Sequence, residues 1–199
     1  MAYITVSDLK TYLNISSSSE DSLLSDLIDA AQKQIETLTG RLFEVPADTT
    51  RRFTPLGRDY DGSLWLDGQT LGLDFDLCQL TSITNGDGSN IPTNAVVLLP
   101  LNGVPYSAIR IKLNTQYIWT YTGTPDGSVA IVGRWGWSIT PPADIKQCTR
   151  LIAERMYKER NGTENRVTDA ISADGVFMPG FRQPDNIAKL LTPYRRLGW

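Results

Sequence analysis

Residues 133–162 read GRWGWSITPPADIKQCTRLIAERMYKERNG, and they contain the best-marked helix in the chain. The run opens as a strand end carrying Trp135 and Trp137 and passes through Pro141-Pro142. The spacing then predicts a helix from about Asp144 to Arg160. Proline suits a first helical turn because the N–H it lacks has no intrahelical acceptor there. Asp144 sits where the helix dipole favours negative charge, and Lys158 and Arg160 sit where it favours positive charge. Asn161-Gly162 supplies a stop, since both residues tolerate left-handed backbone. Ile145, Cys148, Leu151, Ile152 and Met156 recur at helical spacing and form one apolar stripe, while Lys146, Arg150, Arg155 and Glu159 cover the remainder.

The other end of the chain predicts two more helices. Thr5 or Ser7 caps a short one through about Leu13, with Leu9, Tyr12 and Leu13 apolar. Asn14 and the run Ser16–Ser19 interrupt it. Ser19 then caps a helix from Glu20 to Thr39, which Gly40 ends. Its stripe is Leu23, Leu24, Leu27, Ile28, Ala31, Ile35 and Leu38, and its polar face is Asp21, Asp26, Asp29, Lys33 and Glu36.

Between the helices the period changes. Short runs rich in β-branched and aromatic residues predict strands at 52–54, 63–66, 71–75, 79–84, 95–99, 108–113, 117–120 and 129–135. Turn dipeptides separate them, among them Asp61-Gly62, Asp67-Gly68, Asn102-Gly103 and Asp126-Gly127. Strands at this spacing make a small barrel or sandwich. It is inserted between helices whose stripes must pack together across it.

After Gly162 the chain is polar to about Gln183, which reads as an extended or mobile arm that an assembly would order. Asp185 caps a last helix over 186–191, stopped by Pro193. The chain closes on Tyr194-Arg195-Arg196-Leu197-Gly198-Trp199. Arg, Tyr and Trp are enriched at interface hot spots, so we read a docking tail that includes Lys189, Tyr194, Arg195, Arg196 and Trp199. The alternative is a tail packed on its own domain.

Composition narrows the function classes. The chain has 199 residues and no histidine, which removes Ser-His-Asp, Cys-His and HExxH chemistry. No nucleotide-binding or zinc fingerprint occurs, and we expect no catalytic residue, cofactor or metal site. Cys78 and Cys148 read as buried apolar residues of a reducing compartment. No apolar run approaches the roughly 20 residues of a membrane span, and no signal peptide is expected. Residues 1–100 hold 6 Lys+Arg and 14 Asp+Glu, a net −8, whereas residues 101–199 hold 13 and 8, a net +5. An acidic front and a basic back suit a subunit that meets its neighbour through complementary patches, or are ordinary solvated surface.

Two stretches carry a resemblance. The Trp135-Gly136-Trp137 strand end, the prolines, Asp144-Ile145-Lys146 and the helix end Tyr157-Lys158-Glu159-Arg160 resemble the head–tail connector (adaptor) family of tailed bacteriophages. The N-terminal part is similar to the same family through Leu9-Lys10-Thr11-Tyr12-Leu13, then Asp21-Ser22-Leu23-Leu24 and Asp26-Leu27-Ile28-Asp29-Ala30-Ala31. The resemblance covers both ends in order, and the long β insert departs from compact members. It implies a virion structural protein without catalysis, made in the host bacterial cytoplasm and placed in the neck between capsid and tail. It further implies self-association into a ring, a dodecamer on the portal protein, with a stopper or tail-terminator protein on the other side. Double-stranded DNA would pass through the channel without sequence-specific binding, and no membrane is involved. The fold expected is α+β: helices at 1–41 and 140–162 form a bundle, 42–139 is an inserted β domain, and 163–199 is arm, short helix and tail. Trp135, Trp137, Ile145, Leu151 and Tyr157 are expected as core or interface anchors.

Other readings stay open. A β-type binding module for carbohydrate or a host surface would use Trp65, Trp119, Trp135 and Trp137 as a stacking platform. A tail-side neck or completion protein is a near relative of the first reading. A hydrolase would use Asp74 and Asp76 as an acid/base couple, against which they read as a solvated strand face. Asn85–Asn90 offers oxygen ligands but not calcium-loop spacing, and reads as a hairpin turn.

Overall fold

The structure, a computed structural model, describes residues 2–55, 68–161, 170–171, 177–178 and 185–196. The architecture is α+β, in two compact units: Met1–Arg41 with Pro141–Trp199, and Leu42–Thr140.

The first unit is helical. Helix α1 (Val6–Leu13) is capped by Thr5, whose Oγ1 accepts from the Asp8 N–H at 3.0 Å while Asp8 Oδ2 accepts from the Thr5 N–H at 3.0 Å. This reciprocal box satisfies two otherwise orphaned donors. Helix α2 spans Asp21–Thr39 and ends at Gly40, whose φ of +67° is left-handed. Its N-cap is Glu20, not Ser19. The Ser19 hydroxyl and N–H are both spent on Ser17 Oγ, a local bond that competes with capping.

Helix α3 spans Ala143–Arg160. Its last turn does not reverse at Asn161, which has φ −83° and whose N–H donates to the Tyr157 carbonyl at 3.1 Å. Gly162 lies outside the described residues. The buried line of α3 is Ile145, Cys148, Thr149, Ile152 and Ala153, with the Thr149 hydroxyl donating to the Ile145 carbonyl. Leu151 and Met156, expected on the stripe, are half-buried at its margin. The α3 line packs on Leu24, Ile28, Ala31 and Ile35 of α2, and α1 and α4 (Asp185–Leu191) close over the pair. A 3-10 turn, Thr192–Tyr194, follows α4 and contains Pro193.

The second unit holds two antiparallel sheets. One has the order β1-β7-β3-β4, from Thr49–Phe53, Val129–Arg134, Gln79–Thr84 and Asn90–Ile91. The other has the order β2-β6-β5, from Thr70–Leu77, Tyr106–Ile111 and Val96–Leu99. Phe53, Leu71, Leu77, Ile83, Ile109, Ile111, Val129, Ile131 and Trp135 of both sheets share one core. In β7 the burial alternates residue by residue, as expected of a strand with one face on the core.

Two expectations differ. Residues 117–120 are not a strand, and Tyr121 makes only an isolated bridge to Gly86. The Asn85 side chain takes the place of a ladder partner, donating to the Ile118 carbonyl at 2.8 Å and accepting from the Thr120 N–H at 3.1 Å. Ala95 belongs to a 3-10 turn, Thr93–Ala95, so β5 starts at Val96. The expected strand at 63–66 lies outside the described residues, as does most of the arm. Within the arm, β8 (Ala170–Ile171) and β9 (Phe177–Met178) pair antiparallel.

Candidate assembly surfaces

The Trp-Gly-Trp segment is structural. Trp135 is buried, its Nε1–H donates to the Thr49 carbonyl at 3.0 Å, and its ring lies 5.5 Å from that of Phe53. The Trp137 N–H donates to the Leu42 carbonyl at 2.7 Å, and its ring lies 6.3 Å from Phe43. Between them, a Cβ on Gly136 would sit 2.5 Å from Val45 Cγ2 and 2.9 Å from the Leu42 carbonyl oxygen. The glycine therefore lets the strand end lie against Leu42–Val45. Trp119 is also buried, with Nε1–H on the Gln69 carbonyl at 2.8 Å. Two of the four tryptophans of the supposed platform, Trp119 and Trp135, are thus packed inside, Trp137 is half-buried beside Phe43, and Trp65 lies outside the described residues.

The carboxylates of β2 part company. Asp74 is exposed and 3.4 Å from the Arg51 guanidinium. Asp76 is buried, which corrects its reading as part of a solvated face. The β2–β6 register shifts between Gly72 and Leu77, so simple alternation fails there. The 85–90 loop is the β3–β4 hairpin turn. Its Asp87 carboxylate accepts from the Ser89 N–H and hydroxyl and the Thr120 hydroxyl, and these bonds hold its pKa below the usual carboxylate value. Those oxygens are used internally. Cys148 is buried as expected, but Cys78 is only half-buried, its thiol donating to the Arg134 carbonyl. Among the described residues no cluster of three metal-capable side chains occurs, and no helix is long and apolar enough to cross a membrane.

In the helical unit the two ends of the chain meet. Lys10 Nζ lies 2.8 Å from Asp21 Oδ1, a pair within the N-terminal half that ties α1 to α2. The Tyr157 hydroxyl donates to Glu20 Oε2 at 2.8 Å, fastening the end of α3 to the start of α2. The Thr5 bonds hold the Asp8 carboxyl below its ordinary pKa, and Arg150 and Lys146 of α3 add to the shift. Part of the front-to-back charge division is therefore complementary within one chain.

The expected docking residues separate. Tyr194 and Arg196 are half-buried against their own helices: the Tyr194 hydroxyl donates to Asp144 Oδ2 at 3.3 Å, and the Arg196 N–H donates to the Thr39 carbonyl at 2.9 Å. Lys189 and Arg195 are exposed. Trp199 lies outside the described residues. Sequence reasoning missed a set of exposed apolar side chains in the β unit: Leu101 (67%), Val104 (50%), Leu113 (84%) and Ile118 (64%). The only sequence signal was apolar residues among turn formers, as in Pro100-Leu101-Asn102-Gly103-Val104-Pro105.

The helical hairpin α1–α2 and the strand that follows it are also the part of the chain that a known family matches. Residues 3–56 match the phage gp6-like head–tail connector family. The resemblance read from the N-terminal motifs is shown on those residues. No curated protein matches the chain. Among solved structures, a chain from the neck of an empty GTA particle, computed with C6 symmetry, is similar in fold. It shares 18% identity at a TM-score of 0.57, over 99% of this chain and 91% of that one. The likeness in fold thus extends past the family match, through the inserted sheets and α3.

Proposed function

We propose that this protein is a head–tail connector in the neck of a phage-like particle, a structural subunit without catalysis. The observation that carries the reading is the coincidence of two likenesses: the connector family on residues 3–56, and a neck protein's fold along 99% of the chain. Identical copies join head-to-tail and a fixed rotation closes them into a ring. A sixfold axis accommodates six copies or twelve, and twelve is the number we infer for a ring seated on the portal protein. A stopper or tail-terminator protein occupies the other side, and double-stranded DNA passes through without being gripped, since each phosphate neutralised would add affinity.

The exposed basic groups Lys189 and Arg195, with Trp199, are the docking residues of this reading. Tyr194 and Arg196 fix the stem that carries Arg195. Many weak contacts brought into register on a preformed portal supply the avidity that single contacts lack. Native mass spectrometry of the protein mixed with its portal tests this. We expect a complex with one connector per portal subunit. A protein that stays monomeric beside an intact portal ring would overturn the reading and favour a β-type binding module.

A further inference from the structure

The two sheets of the β unit have four edges, and three are blunted. β1 carries Arg51 and the exposed Arg52. β2 carries a register shift together with Asp74 and Asp76. β4 is two residues long. Charges, irregular register and short length are the devices by which sheets avoid pairing edge to edge. β5 has no charge and no irregularity: Val96-Val97-Leu98-Leu99 pairs with β6 in unbroken register, and its last three residues are only half-buried. Exposed apolar residues flank it, with Leu101 and Val104 beyond one end and Leu113 beyond the other.

The hydrogen bonds give the direction of this edge. The Lys112 N–H donates to the Ala95 carbonyl at 2.9 Å, and the Ile111 N–H donates toward β2, to the Gln69 carbonyl, at 3.1 Å. Alternation in an antiparallel ladder then turns Val97 and Leu99 toward β6, and turns the N–H and C=O of Leu98 away from it. Among the described residues no strand pairs on that side.

The same chain carries the converse feature. β8 and β9 form a two-stranded sheet of their own, two residues to a strand. A ribbon of that size needs support from a further strand or surface to persist in water.

Resting on the ring reading above, we propose that β5 is the acceptor edge of the subunit interface, and that the β8–β9 ribbon of a second copy adds to it. Main-chain bonds to Leu98 would supply affinity, and the flanking apolar side chains would supply specificity. The occupant is a second copy because one chain holds both an edge and a two-stranded ribbon to which, among the described residues, no further strand is paired. A head-to-tail contact requires one of each from every subunit.

The test combines native mass spectrometry with hydrogen exchange on the full-length protein, alone and with the portal, for wild type and Leu98→Pro. Proline there removes the outward N–H and spares the β5–β6 ladder, which does not use it. We expect the amides of β5, β8 and β9 to gain protection on assembly. We expect L98P to assemble about tenfold more weakly at an unchanged melting temperature. If wild type assembles without that protection, or L98P assembles like wild type, edge pairing is overturned and the ring reading stands. If wild type stays monomeric beside the portal, both fall. Should L98P melt early, the wild-type exchange pattern decides alone.

Discussion

The backbone N–H of Arg196 donates to the carbonyl of Thr39 at 2.9 Å, so the end of the chain caps the end of α2. Thr39 is the last residue of that helix, where carbonyls have no intrahelical donor. The stem of the tail is therefore part of the helical unit.

Truncations should separate the two roles. Deleting 193–199 removes the cap along with the Tyr194–Asp144 bond, at a cost of about 1 kcal/mol for each lost hydrogen bond. Thermal melts should show a drop of about 2–4 °C per kcal/mol. Deleting only 197–199 should leave the melt unchanged while abolishing portal attachment in co-sedimentation. Attachment that survives the shorter deletion removes Trp199 from the docking residues.

Tyr157→Phe should loosen α3 from α2. The Glu20 bond, together with some burial and the Glu20 charge, raises the Tyr157 hydroxyl above its ordinary value of 10.0. A pKa raised in the folded state means that the contribution is complete below the unfolded value and is lost as pH climbs through the folded one. The variant should melt lower than wild type at pH 7, and the gap should close above about pH 10. A gap that is constant with pH would show that the hydroxyl bond is not its source.

The α1 cap has the opposite pH sign. Thr5→Ala should cost about 1 kcal/mol at neutral pH. Asp8 has a depressed pKa, so its contribution is present above the ordinary 3.8 and disappears as pH falls through the lower folded value. Urea titrations at pH 7 and pH 2.5 should show the difference between Asp8→Ala and wild type shrinking in acid, while the T5A difference, which spares the Thr5 N–H, changes less.

Gly136→Ala should destabilise the β unit by about 1–3 kcal/mol, because the added methyl meets Val45 and the Leu42 backbone, which cannot both yield. Helical content should be unchanged while tryptophan fluorescence shifts. A neutral G136A would mean that the Leu42–Val45 segment moves aside easily.

Both thiols should be slow to label. Burial pushes the Cys148 thiol up to about 11 and also raises Cys78, so little thiolate exists at pH 8. Thiol titration should report neither cysteine promptly in the native protein and both in denaturant. Fast native labelling of Cys148 would contradict the helix packing described.

Helix boundaries were legible because their signals are local. Thr5 with Asp8, Gly40, the paired prolines and the stripe period each act within a few residues. The Ser19 cap failed for a reason equally local but unreadable: Ser17 competes for the same hydroxyl, and sequence does not say which bond wins. The strand at 117–120 failed through a distant residue, since Asn85 satisfies its backbone from across the sheet. Asp74 and Asp76 look equivalent in sequence, and only the shifted β2–β6 register gives one to solvent and buries the other.

The amino-acid order set the helices, most of the strands, the α+β class and the motifs that resemble a connector, because periodicity, caps and turn residues act at short range. The tertiary structure decided which edge of which sheet is left open and how the acidic and basic ends of the chain meet. It also anchored the stem of the tail: Arg196 reaches Thr39 across most of the sequence. Those outcomes depend on pairing between residues far apart in the chain, where several registers satisfy the same local pattern and only the packed core selects one.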